Sequence, residues 1–558
     1  MSSVALRNGS ISPSESRLRE PTASSSNTAV AAPRWPSFAG WPLIGIACLW
    51  CAGFLLPGTV HGAALMFGGN LCFAFAARAD QQFIRYRTWF LAGLLFYLAG
   101  TPWMPVAIVN YYAFMEVSRP AALIIHFIAC ALLALQFIAV AWMLRSMPRG
   151  KWEWIGLRPA VCWCVVEVLL YRPFPWFIGS AFLAVTPVAQ LADIGGVVAV
   201  SFVTLWLAGL MIGAANRSDY LLRLIVTITV AGSVGAYSVG RQQQITRQIA
   251  ESPSVDIGIV QGNDPILLHP TDDEISGKLD TYLRLSASIS PQPELLIWPE
   301  GPNLRLIDSG AATLSPSFDL GAPAVRRPLL FGGHTALTPI GTPTFRYQVS
   351  TLLLRPSGEL SIDYHKRMTL PLAEDIPLKG LFPWLTTIFG ERYFVPGVAG
   401  TPVVIDRPRG RGGETSGAPI TAATVICYED LVPNLLQEMV RDTDASLLVG
   451  LLNGQWFGET VAVHQHALLA SWRAVENGRF FVRSGTTGVS RVIDPHGRIV
   501  SELPPFREGT LLVPGVPLLT GKTVFTRFGM FPAQVISVFL LLLTGLCYLR
   551  GRPTESTR

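Results

Sequence analysis

The segment ATVICYEDLVP, residues 423–433, closes a short apolar run with Cys427 and sets Glu429 two places later. The other seven cysteines, Cys48, Cys51, Cys72, Cys130, Cys162, Cys164 and Cys547, lie within or beside long apolar stretches. Cys427 stands apart in a more polar region, so it has no disulfide partner there. A thiol so placed fits either a small buried hydrophobe or a nucleophile. Two other segments carry complementary groups. ELLIWPEGPN runs an apolar strand into Glu300, and DYHKRMTLPLAEDIP sets Lys366 in a loop dense in proline and acid. Each alone also fits a solvated loop residue. Together with Cys427 they are the parts of thiol acyl transfer. A carboxylate takes the thiol proton, an ammonium stabilises the developing oxyanion, and a sulfur carries the acyl group.

Other chemistries find little support. His464-Gln465-His466 invites a metal, but an i, i+2 spacing sets the two imidazoles on different sides of a helix. The chain offers no glycine-rich phosphate loop, serine-centred elbow or dinucleotide fingerprint. No metal and no cofactor are therefore expected. No basic stripe with interleaved aromatics is present, so nucleic acid is not an expected partner.

The elements that must hold these residues divide the chain. Between 254 and 515, runs such as SVDIGIVQGN, ELLIWPE, PLLFGGH, ITAATVICYED and ASLLVGLLN are short, apolar and end in polar residues or glycine. Helical stretches such as DDEISGKLDTYLRLSAS lie between them. Continuous apolar strands predict a sheet covered on both faces, hence an α/β sandwich. IDRPRGRGGETSGAP (405–419) is expected to be a surface loop.

The rest is membrane-like. Half of the 558 residues are hydrophobic and 14% are charged, with a mean hydropathy of +0.40. A bilayer crossing needs about 20 apolar residues. Candidate spans are 41–57, 59–77, 88–109, 120–144, 155–182, 192–215, 221–239 and 530–549. The fifth is interrupted by Arg172, Pro173 and Pro175. Arginine and lysine gather in RADQQFIRYR, RSMPRGK, NRSDYLLR and both terminal tails, which places these inside and the large segment 240–525 outside. The expected organisation is a disordered cytoplasmic tail (1–36), a membrane domain of about seven helices (37–240), an external domain (250–520), a last transmembrane helix (526–549) and a short cytoplasmic tail (550–558).

WPE, YHK and ICYED, in this order and spacing, resemble the Glu-Lys-Cys triad of the nitrilase, or carbon-nitrogen hydrolase, superfamily. The resemblance is closer to one branch, the bacterial apolipoprotein N-acyltransferases. FPWFIGSAFLAVTPVAQLADIGGVVAVSF is similar to their late membrane segments, VDIGIVQGN to the first strand of their catalytic domain, and the block from Trp456 to Val500 to their C-terminal portion. The resemblance implies an αββα nitrilase-like domain on a polytopic helical membrane protein. It implies Glu300 as general base, ahead of the nearer Glu429, with Lys366 as oxyanion stabiliser and Cys427 as nucleophile. Glu374 matches a carboxylate that orients the lysine. Tyr428 and Glu429 match residues that shape the pocket, and Trp456 and Phe457 an aromatic pair after the next strand. Each of these five also fits plain packing.

The implied partners are a phospholipid donor and a diacylglyceryl-modified lipoprotein acceptor. The implied setting is a monomer in the bacterial inner membrane, with its catalytic domain in the periplasm. The arm KGLFPWLTTIFGERYF (379–394), with Phe382, Trp384, Phe389 and Phe394, either dips into the interface or packs on the domain. Three departures stand out. Asn453-Gly454-Gln455-Trp456 replaces the usual Asn-Asp-x-Trp, Pro371-Leu372-Ala373-Glu374 replaces Pro-Phe-Gly-Glu, and Thr486-Thr487-Gly488 replaces Asn-x-Gly. They leave open a paralogue with another acceptor, and a membrane-bound amidase is the further rival.

Overall fold

The computed structural model describes residues 41–550 except 79–84, 114–115, 148–154, 173, 213–216, 268–269, 303–304, 314–326, 340–341, 343–344, 371–373, 377–378, 385, 388–392 and 408–416. The tails expected at either end, Phe389, Pro371–Ala373 and most of the 405–419 loop lie outside the described residues.

The first half is helical: α1 (Trp41–Leu55), α2 (Val60–Arg78), α3 (Tyr86–Gly100), α4 (Met104–Tyr111), α5 (Arg119–Ser146), α6 (Leu157–Leu169), α7 (Ala192–Met211) and α8 (Arg217–Glu251). Among the described residues, α2, α5, α7, most of α8 and the C-terminal helix are long and apolar enough to cross a bilayer. α1 is apolar but shorter, and α3 with α4 makes a sixth crossing only as a pair bent by 60°. The break falls at Thr101-Pro102. Proline supplies no N–H and disfavours helix at the residue before it, and the Thr101 hydroxyl turns back to the Tyr97 carbonyl at 2.6 Å.

The expected span 155–182 is not one helix. α6 stops at Leu169 after 13 residues, about 20 Å of rise, too little for a bilayer core. Arg172 takes over the helix end, donating to the carbonyls of Glu167 at 2.6 Å and Trp176 at 2.5 Å. The chain then runs irregularly into a short 3-10 turn, Ile178–Phe182. Aromatic rings fill the bundle: Trp50 stands edge-on to Trp163 at 4.6 Å, and Phe73 lies 5.3 Å from Trp163. Gly69 permits this packing, since a Cβ there would come within 2.3 Å of the Trp50 ring.

α8 carries the chain out of the bundle. Its 35 residues rise about 52 Å and lead directly into β1 (Ser254–Gln261). Strand β2 (Leu295–Glu300) follows α9 (Asp272–Ser288), then come β3 (Ile307–Asp308), β4 (Leu329–Ala336), β5 (Tyr347–Leu354) and β6 (Leu360–His365). The second half contains β7 (Val403–Ile405), β8 (Ile420–Ile426), α10 (Pro433–Thr443), β9 (Leu447–Leu452), α11 (Ala462–Asn477), β10 (Phe481–Gly485), β11 (Ser490–Ile493), β12 (Ile499–Leu503) and β13 (Gly509–Pro517). The last helix is Phe531–Arg550.

Two sheets form. One runs β13-β1-β2-β4-β5-β6 with β3 beside β4, and the other runs β12-β11-β10-β9-β8-β7. Each has a parallel centre, β1-β2-β4 and β8-β9-β10, with antiparallel flanks. Period-two alternation sorts the side chains. Leu295 and Ile297 of β2 meet Leu447, Val449 and Leu451 of β9 between the sheets. Leu296 and Trp298 instead face Leu279, Tyr282 and Leu285 of α9. On the far side, Ala423 and Val425 of β8 join Leu436 and Val440 of α10, Leu468 and Trp472 of α11, and the bundle itself in one core. The domain is thus an αββα sandwich whose outer layer is shared with apolar helices. Each fully buried large side chain contributes about 2 kcal/mol. A Thr271–Glu274 capping box starts α9 and is worth about 1 kcal/mol.

Candidate active site

The parallel strands bring their C-terminal ends to one edge, where functional groups of layered α/β folds collect. Glu300 ends β2, Cys427 follows β8 and Asn453 follows β9. Lys366 follows β6 and arrives from the antiparallel flank. Its backbone is fixed by Lys366 N–H to Val349 O at 2.8 Å and by Gly397 N–H to its own carbonyl at 2.7 Å.

Glu300 is buried and accepts the Asn453 N–H at 3.0 Å. The Cys427 thiol lies within its electrostatic reach, with Sγ 4.0 Å from the Asn453 carbonyl. Burial pushes the Glu300 carboxyl up to about 6, against the opposing charge of Lys366, with Glu374 adding to the rise. Lys366 is fully buried and its ammonium lies on Glu374 Oε1. Glu374 Oε2 accepts the Leu370 N–H at 2.8 Å, which aims the carboxylate. Burial alone would lower Lys366, but Glu374, then Cys427 and Glu300, hold it well above its ordinary range. The Cys427 thiol is pushed well above its ordinary value by burial first and by Glu300 second, with Lys366 opposing. At neutral pH the group therefore holds an ionised carboxylate, a fixed cation and a protonated thiol. A base near 6 facing a thiol is suited to proton abstraction at the moment of attack.

Cys427 is also strained. Its φ is +54°, a left-handed conformation that costs a non-glycine residue on the order of 1–3 kcal/mol. The next residues explain how it is held. Glu429, fully buried, accepts four hydrogen bonds: Ile426 N–H at 2.9 Å, Tyr364 O–H at 2.8 Å, Arg367 N–H at 2.6 Å and Met368 N–H at 2.9 Å. It staples the Cys427 turn to the Lys366 loop, and with every lone pair engaged it has none left to act as a base. Asp430 adds a second tie, to His466 Nε2 at 2.6 Å and Arg483 Nε at 2.9 Å. Burial alone would raise the Asp430 carboxyl, but His466 and Arg483 bring it below its ordinary range.

The remaining expected residues form a wall. Tyr428 is buried, pairs with Tyr171 and sees Phe174 at 6.5 Å. Trp456 lies 4.9 Å from Tyr111 of α4, and its carbonyl accepts from Asn110 at 3.2 Å. Phe457 meets Trp103 at 5.5 Å and His466 at 5.6 Å. The arm divides: Phe394 packs on Tyr347 at 6.0 Å, whereas Trp384 and Phe382 are exposed.

Several participants carry no sequence signal. Asn453, the Asp430–His466–Arg483 tie and Tyr111, which lies within electrostatic reach of Glu374, Lys366 and Cys427, depend on contacts between distant segments. His466 thus serves a carboxylate, while His464 is exposed. No group of three or more His, Cys, Asp or Glu is placed to hold a metal among the described residues. Two of the sequence departures prove to touch each other. Gly454 N–H donates to Thr486 Oγ1 at 3.2 Å, Thr486 donates to Asn453 Oδ1 at 3.2 Å, and a Cβ at 454 would sit 2.9 Å from Gly488 N. A side chain at 454 would press on this backbone, so the glycine there fits the close approach of the two loops.

Comparison with known proteins finds relatives of both halves of the chain. Residues 46–210 match the apolipoprotein N-acyltransferase N-terminal domain, and residues 281–516 match the carbon-nitrogen hydrolase family. An apolipoprotein N-acyltransferase of Pseudomonas paraeruginosa is 28% identical, over 94% of this chain and 99% of its own. That of Azotobacter vinelandii is 27% identical over 94% and 98%, and that of Pasteurella multocida 24% over 84% and 88%. The chain thus carries an apolipoprotein N-acyltransferase N-terminal domain followed by a carbon-nitrogen hydrolase domain, and aligns along nearly the full length of apolipoprotein N-acyltransferases.

Proposed function

We propose that this chain is a phospholipid-dependent N-acyltransferase of lipoproteins, working through a thioester on Cys427. Glu300 takes the thiol proton as sulfur attacks the ester carbonyl of a phospholipid. The oxyanion forms beside Lys366, which Glu374 holds in place. Collapse breaks the ester bond, and Glu300 returns its proton to the departing lysophospholipid alkoxide. The free α-amine of a diacylglyceryl-cysteine then attacks the thioester. Glu300 takes the amine's proton, an amide forms, and the thiolate leaves and is reprotonated. Water kept from the site preserves the thioester between the two steps.

The observation that carries this reading is the seat of the site: its aromatic wall, Trp456 and Phe457, rests on the bent pair α3–α4. A hydrolase of small soluble amides gains nothing from contact with bilayer-length helices, whereas a donor and an acceptor that both carry acyl chains require it. On this reading the exposed Trp384 and Phe382 lie at the membrane surface, and the protein acts as a monomer of the inner membrane with its catalytic side in the periplasm, opposite the basic loops.

Mass spectrometry of Cys427 after incubation with labelled phospholipid tests the mechanism. A single acyl adduct on that residue and stoichiometric lysophospholipid are expected, and Cys427→Ala should yield neither. Lysophospholipid release at the wild-type rate from Cys427→Ala would remove the nucleophile assignment. One second reading, an acceptor other than the bulk lipoproteins, rests on Gly454 and Thr486, which meet beside the site where the family pattern has other residues. Complementation of a strain depleted of its housekeeping enzyme separates the two, since rescue supports the first and failure with a working acyl-enzyme supports the second.

A further inference from the structure

The turn that ends β2 is gripped from behind by groups outside the triad. Lys278 of α9 donates to the Gly301 carbonyl at 2.7 Å, on the residue next to Glu300. The same ammonium lies 3.3 Å from Asp264 Oδ2, which also accepts the Tyr282 hydroxyl at 2.7 Å. Lys278 and Asp264 are 9% and 5% exposed. Gly301 itself has φ +67° and donates its N–H to Gly332 O at 3.0 Å, so the turn is fixed on both sides. A lysine on the apolar face of α9, beside Leu279 and Tyr282, is costly to bury. Structure alone would be served as well by an uncharged pair in place of Lys278 and Asp264. What its charge reaches is Glu300, which in turn favours the ammonium, and His334 of β4.

We infer that Lys278, held by Asp264, is a positioning residue for the base: it fixes the Gly301 carbonyl so that Glu300 stays aimed at Cys427, and its charge favours the ionised carboxylate. The inference rests on Glu300 being the base. The groups facing that carboxylate are Lys366 after β6, Glu374 in the following loop, Cys427 after β8, the Asn453 N–H after β9 and Lys278 on α9. Removing one cation from this set favours the protonated acid. Glu300 then titrates at higher pH, and acylation is lost earlier as pH falls.

The test uses the full-length protein in detergent, acylated with a p-nitrophenyl ester and read as the Cys427 adduct by intact mass from pH 5 to 8.5. Lys278→Met leaves Asp264 unpaired, so the Asp264→Asn/Lys278→Met double variant is measured beside it to keep the buried site neutral. In the double variant acylation at pH 6 is expected to be about three- to tenfold slower than wild type, with the deficit shrinking toward pH 8.5. A uniform loss at every pH, or a wild-type profile in a folded double variant, overturns the inference. If wild type forms no Cys427 adduct, or Glu300→Gln acylates at the wild-type rate, the base assignment itself falls and takes this inference with it.

Discussion

At the scale of single residues, the site places function ahead of stability. Glu300 is ionised at neutral pH although burial has moved it up to about 6. A carboxyl raised on folding binds its proton more tightly in the native state, so native stability is greatest below the unfolded value and declines as pH rises through about 6. The shift corresponds to about 2 kcal/mol of destabilisation at neutral pH. Glu300→Gln removes that buried charge and keeps the shape. Its melting temperature should not fall, while Cys427 acylation disappears; a lower melting temperature would show that the carboxylate is a structural anchor. In wild type, acylation should drop about tenfold per unit below pH 6, because the base must be unprotonated. Cys427, Glu300 and Lys366 were legible from sequence because each ends or follows an apolar strand within a recognisable motif. Asn453 and Asp430 were not. Asn453 contributes a backbone N–H that any residue type possesses, and Asp430 is defined by partners 36 and 53 positions away.

At the scale of elements, hydropathy found the helices and one of their two breaks. Averaged over 88–109 the sequence is apolar throughout, yet Pro102 splits it into α3 and α4. Residues 155–182 carry their own interruption at Arg172, which closes α6 early. The α3–α4 break lies beside the sandwich domain, and the residue that joins it to that domain is Gln465. Its amide donates to Phe54 O and Gly100 O, each at 3.2 Å, and its oxygen accepts Trp103 Nε1–H at 2.8 Å. The sequence drew attention to the flanking histidines, because no periodicity distinguishes a buried glutamine with partners more than 350 residues away. Gln465→Leu leaves two carbonyls and an indole N–H unpaired in a buried setting, an expected loss of about 2–4 kcal/mol. His464→Ala, on the exposed side, should leave thermal unfolding in detergent unchanged. Equal melting temperatures for the two variants would mean that the Gln465 bonds carry no net stability.

At the scale of the whole molecule, the two halves share one interior. Every residue of α11 except His464 is buried, and its Trp472 donates to Ser180 O at 3.1 Å in the turn after α6. Leu468, Trp472 and Val475 belong to the same apolar core as Trp176, Phe182 and Val197 of the bundle. The α/β domain is therefore not an independent globule on a tether, because the layer covering its second sheet packs into one core with the bundle. Residues 250–520 expressed alone would present that surface to water, an apolar patch far beyond what soluble monomers carry. The fragment is expected to aggregate, or to purify only with detergent, and to lose Cys427 acylation because Phe457 and Trp456 lose Trp103 and Tyr111 as support. Size-exclusion chromatography and the p-nitrophenyl ester assay read both properties on one sample. A monodisperse fragment that acylates Cys427 and hydrolyses a small amide would favour the amidase reading over acyl transfer. An aggregated one that recovers the adduct when residues 37–240 are supplied in trans would make the bundle part of the active site.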